Sequence, residues 1–117
     1  MRVISTPLAI SMAAIALTAA APVVAKEKLA NAAIMSGDFN TAERILIDQP
    51  NAFKSMPEVL INLAFVYANT GREAEARALY REVLRQPDVD LDNTMGQSVS
   101  SREIARVGLA RLTLGSR

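Results

Sequence analysis

Apolar residues fall along this chain in two kinds of pattern, an unbroken run and a helical recurrence. From Leu8 to Ala21 the chain is almost entirely apolar, and no charged residue stands between Arg2 and Lys26. Further on, apolar positions return at intervals of three and four, the spacing of one helix face. Leu60, Leu63, Ala64 and Tyr67 make one such face, with Pro57 suited to the first turn and Asn69-Thr70-Gly71 as the stop. Ala76, Leu79, Tyr80, Val83 and Leu84 make a second, ended by Gln86-Pro87. The turn between them is so short that the two helices must be antiparallel neighbours. Ser100-Ser101-Arg102-Glu103 then reads as a capping box, and behind it Ile104, Val107, Gly108 and Leu112 recur at helical spacing up to Gly115.

The helical part repeats itself. Displaced by 34 positions, Leu29-Ala30 falls on Leu63-Ala64, Gly37 on Gly71 and Ala42 on Ala76, with Ser36 on Thr70 and Ile45 on Leu79 as conservative pairs. The recurring residues are the small ones, which let helices approach closely, and a glycine, which ends a helix at positive φ. Val107-Gly108 and Gly115 repeat Leu63-Ala64 and Gly71 at a displacement of 44, so about ten residues are inserted near positions 86–99. A fixed period of this size signals a stacked array.

Leu60, Leu63, Ala64, Tyr67, Gly71, Ala76, Tyr80 and Pro87 resemble, in order and spacing, the signature of the tetratricopeptide repeat, with Leu60 in place of its leading tryptophan. Residues 57–90 are the clearest repeat. Residues 26–49 resemble a degenerate copy in which Ala33 and Leu46 replace the two tyrosines, and residues 100–115 resemble the first helix of a third, left as a capping helix. The resemblance implies an all-α domain over residues 26–115: five helices, in antiparallel hairpins stacked as a short superhelix. At two and a half repeats the array falls below the three that usually stand alone, so marginal stability or assembly is expected.

The apolar run changes the reading of the N-terminus. A basic start, an apolar stretch, Pro22 as a helix breaker and the small residues Val23 and Ala25 predict a secretory signal peptide over residues 1–25, cut after Ala25. The run is shorter than the ~20 residues of a spanning helix, which favours a cleaved leader over the alternative of an uncleaved anchor. A periplasmic or secreted protein is therefore expected, touching the membrane only through that leader. Arg2 leaves with it, and the remainder carries equal numbers of acidic and basic side chains.

Composition removes several chemistries. The chain has no cysteine and no histidine, hence no thiolate or imidazole metal ligand and no Ser-His-Asp relay. Its net charge of +1 gives no footprint for nucleic acid. Asp88-Val89-Asp90-Leu91-Asp92-Asn93 begins like a calcium loop, but the sixth place is Asn93 rather than glycine and Val99 stands where the closing glutamate belongs. The five glycines are scattered singly, so no phosphate loop forms. No enzyme, cofactor or metal site is expected.

A binding surface remains. Repeats that resemble this family present a concave face built from the first helix of each hairpin, which implies a protein or peptide partner there. Residues expected to point outward are Glu27 and Asn31 on the first helix, Ile61, Asn62, Phe65 and Asn69 on the second, and Arg102, Arg106 and Leu109 on the third. Of these, Asn31, Ile61, Asn62, Phe65, Asn69, Arg102 and Arg106 are the candidate partner-binding residues. Ile61 and Phe65, one turn apart, suit an apolar hot spot, unless neighbouring helices cover them. Arg102 and Arg106 suit an acidic partner. Asn62 stands where some members hold a peptide's terminal carboxylate, but Glu58 replaces a lysine that clamp needs, so carboxylate recognition is not carried over. A second expectation is structural: a homo-oligomer or a subunit of an envelope complex, with no ligand groove.

Overall fold

The computed structural model describes residues 23–93 and 95–115. The expected leader lies outside them up to Pro22, and Val23 to Ala25 form the start of the first helix. The order is α1 (Val23–Met35), α2 (Phe39–Ile47), α3 (Asn51–Lys54), α4 (Pro57–Ala68), α5 (Glu73–Arg85), β1 (Asp90–Asp92), β2 (Ser98–Ser100) and α6 (Ser101–Gly115).

The repeat is visible in the backbone. Gly37 and Gly71, 34 residues apart, close the α1–α2 and α4–α5 turns with φ of 81° and 82°. In both turns the next residue's N–H reaches back into the finished helix, Asp38 to the Ala33 carbonyl at 2.8 Å and Arg72 to the Tyr67 carbonyl at 2.9 Å. An added Cβ would meet nothing at either glycine, so conformation alone selects the residue. Asp38 then caps α2 by accepting the Thr41 N–H.

Helix α4 is the centre of the array. Its Val59 and Val66 pack with Ala30, Ala42 and Leu46 of the first pair. Leu60, Ile61 and Ala64 pack on the opposite side with Ala76, Tyr80 and Val83 of α5 and Ala105 and Leu112 of α6. Ala30, Ala42, Ala64, Ala76 and Ala105 are all fully buried, one on each of the five longer helices. Arg72 adds a polar tie, pairing through both guanidinium nitrogens with Glu43 of α2 while its Cζ stands 4.3 Å over the Tyr67 ring.

Two elements differ from the five-helix expectation. The linker after α2 folds into the single turn α3, which Pro50 starts by accepting the Phe53 N–H at 2.8 Å. The insertion after α5 is a β-hairpin rather than a plain loop. Leu91 pairs with Val99 at its centre, and Asn93 closes its tip by accepting the Met95 and Gln97 N–H groups at 2.8 and 2.9 Å. Three-residue strands carry too few alternating positions to be read from sequence.

The hairpin returns the chain so that α6 lies antiparallel to α5, with Gln86 beside Arg102 and Tyr80 beside Gly108. Asp88 locks the junction, its carboxylate accepting from the Ser100 hydroxyl at 2.7 Å, the Ser101 hydroxyl at 3.1 Å and the Arg102 N–H at 3.1 Å. Ser100 in turn accepts the Glu103 N–H at 3.2 Å, the first half of the expected capping box. The Glu103 carboxylate turns to Arg106 instead of completing it.

Gly108 occupies the third repeat's small position, and a Cβ there would stand 2.4 Å from the Tyr80 ring. Gly108→Ala is therefore expected to lose stability, the ~1–3 kcal/mol of overpacking exceeding the ~1 kcal/mol of helix propensity gained. A urea midpoint that stays or rises would show that α6 does not seat against Tyr80. The hydrogen bonds on Asp88 hold its carboxyl below the usual aspartate range. A lowered folded-state value contributes stability above about pH 3.9 that is lost as pH falls through it. The urea midpoint of Asp88→Asn should consequently fall less between neutral and acid pH than that of the parent, and parallel curves would refute the lock.

Candidate functional site

Helices α1, α4 and α6 run the same way, since each is followed by an antiparallel partner or, for α6, packs antiparallel on α5. Together with the hairpin they enclose a groove of about 970 Å³. Its size suits a peptide segment or a small ligand.

The structure brings five of the seven candidate residues to this groove: Asn31, Ile61, Asn62, Phe65 and Asn69. Asn62 donates from Nδ2 to Asn31 Oδ1 at 3.0 Å, joining α1 to α4 across the floor. That pair leaves the Asn31 amide NH2 and the Asn62 carbonyl oxygen without other partners among the described residues, donors beside an acceptor. Phe65 is 38% exposed and tilts against Phe39 of α2, with ring centroids 6.2 Å apart. Ile61 lines the groove but is only 9% exposed, so it belongs to the core cluster rather than to an exposed hot spot. Asn69 donates to the Phe65 carbonyl at 2.8 Å, which makes it first a helix terminator.

Arg102 and Arg106 lie outside the groove lining. The Arg102 guanidinium donates twice to the Gln86 carbonyl, at 3.0 and 2.7 Å, tying the start of α6 to the end of α5. Arg106 is exposed and stands 3.5 Å from Glu103. Leu109 packs against the core. Glu103, Ile104, Val107 and Arg111 face the groove in their place. The hairpin sets the rotation of α6, and nothing in the helical periodicity carries that angle.

Several lining residues were not foreseen. Met35 and Val107 join the expected Phe65, so that each groove helix leaves one large apolar side chain exposed, at 74%, 42% and 38%. Tyr80 is 5% exposed, lines the groove and makes no hydrogen bond among the described residues. Burial pushes its hydroxyl above the ordinary tyrosine range. Glu58 lines the groove one turn before Asn62, as Glu27 does before Asn31. Glu27 and Asn31 thus face Glu58 and Asn62 at a common displacement of 31 residues, shorter than the repeat itself. Burial and the neighbouring Glu58 charge raise the Glu27 carboxyl above its usual value. The Asp88–Asp92 carboxylates do not converge, and no group of three acidic side chains among the described residues is placed to hold a metal ion.

Residues 58–85 match the family model of the tetratricopeptide repeat. Around that unit the described helices pack in adjacent pairs, a small all-α fold resembling stacked tetratricopeptide repeats. The repeat is generally a non-catalytic module for binding other proteins. No curated protein and no solved structure matches the chain.

Because Phe65 faces the groove, Phe65→Ala is expected to cost only about 1 kcal/mol of stability, far below the ~2–5 kcal/mol for the core change Leu60→Ala on the same helix. Urea unfolding of the two variants compares them directly. Equal losses would make Phe65 a core residue and remove it from the site.

Proposed function

We propose that the protein is an exported, non-enzymatic scaffold that binds a peptide or protein segment along the groove between α1, α4 and α6. One observation carries this reading: each groove helix leaves a large apolar side chain exposed on the same concavity, Met35, Phe65 and Val107. Exposed apolar side chains gathered in one place favour an interaction surface over a solvated one. The Asn31–Asn62 pair supports a peptide in particular, because its unused donors and acceptor match the backbone groups of an extended chain. Export rests on the sequence, on the charge-free stretch between Arg2 and Lys26. Cleavage after Ala25 would shorten α1 but keep Glu27 and Asn31.

A structural role is the second reading, favoured by Leu29 and Leu114, which are exposed outside the groove. It expects a melting temperature that rises with protein concentration and no enrichment from a displayed peptide library. The scaffold reading expects enriched sequences whose binding Phe65→Ala weakens by ~1–2 kcal/mol. Mass spectrometry of the exported protein should find Lys26 as its first residue, and a membrane-bound species retaining Met1 would overturn the soluble, exported form.

A further inference from the structure

Resting on the groove-binding reading, we infer that the occupant is a cationic, amphipathic peptide segment, with a lysine or arginine between Glu27 and Glu58 and apolar side chains against Phe65 and Val107. The charge of the groove is the first ground. Among the described residues six carboxylates line it, Glu27, Glu58, Glu73, Asp90, Asp92 and Glu103, against the single cation Arg111. The chain as a whole has 13 basic and 12 acidic residues, so this imbalance is local to the concavity. Only Glu103 among the six has an ion-pair partner among the described residues, the exposed Arg106. Removing residues 1–25 would add one α-amino group at Lys26, too little to balance the rest.

The arrangement is ordered as well as acidic. Glu27 and Glu58 form one rung across α1 and α4, and Asn31 and Asn62 form the next, a helical turn further along. Like charges held side by side, one of them partly desolvated, disfavour each other until a cation arrives between them. The amide rung then faces the ligand backbone, and Phe65 and Val107 follow along the same direction.

Tyr80 is an independent ground. Its side chain is more than nine-tenths buried, sits in the groove wall and has no hydrogen-bond partner among the described residues. The hydroxyl itself is not among the buried polar atoms left without a partner, which among the described residues are Gln49 Oε1 alone, so it opens to the groove, where a backbone carbonyl or amide of an occupant can pair with it. A metal ion is a poor alternative, since the acidic groups do not cluster in threes. Complementary charge across the interface would speed association and exclude acidic competitors.

The test uses protein purified after expression of the full 117-residue chain. Fluorescence anisotropy is measured with three labelled peptides of equal length, alternating Lys/Leu, Gln/Leu and Glu/Leu. The expected order is Lys/Leu tightest by roughly tenfold, with a gap that narrows as salt is raised. The double variant Glu27→Gln/Glu58→Gln should abolish that preference while keeping its Gln/Leu affinity and its melting curve. Glu75→Gln, outside the groove, should keep the preference. Equal binding of Lys/Leu and Gln/Leu would overturn the cationic occupant and leave the peptide-binding groove standing. A preference that survives in the double variant would overturn the Glu27–Glu58 assignment. Failure of all three peptides to bind would overturn both readings.

Discussion

The fold depends on how closely helices can approach α4. A helix flanked on both sides must present two narrow, small-sided seams, and alanine supplies them: Ala64 meets the α5 side, while Ala30 and Ala42 let the first pair close on Val59 and Val66. Ala76 and Ala105 continue the series, and the last seam needs a residue smaller still, Gly108 beneath the Tyr80 ring. In so small a domain the buried apolar area is modest. Close approach makes up part of the deficit, because each short seam lets longer neighbours such as Leu46, Val83 and Leu112 be buried between the helices.

That requirement is also why the architecture was legible in the sequence. Alanines and glycines at fixed displacement are positions with one physical purpose each, so Gly37 and Gly71 or Ala42 and Ala76 can be aligned although the residues around them diverge. The Ser100 cap was legible for the same reason, a local rule answered locally. The hairpin and α3 were not, because a handful of residues shows no period, and the Asp88 junction joins residues more than ten positions apart.

The groove was legible only in part. Outward angles on α4 follow from one packing face, but α4 has two, and the one toward α5 widens to take in α6, where Ile61 is buried beside Leu60 and Ala64. Phe65 lies outside both. On α6 the hairpin imposes a rotation that helical periodicity does not carry, and Arg102 is spent on the Gln86 carbonyl. The acidic rung was invisible because helices that are 34 residues apart in the repeat meet side by side at a displacement of 31. Three residues at ~1.5 Å rise each shift one helix along its neighbour by about 4.5 Å, so residues that face each other are not residues that align.

Among the described residues α6 is the last unit of the array, packed on α5 and touching α4, with no helix hairpinned onto it. In a one-dimensional stack each unit draws its stability from its neighbours, so a terminal unit with one flank open is the first to come away. Here that unit is also a wall of the concavity. Detachment of α6 would dismantle the groove while α1, α2 and the α4–α5 pair remain folded. Whatever lies in the groove bridges α6 to α4 and supplies the missing flank, so filling the concavity and completing the stack are one thermodynamic event.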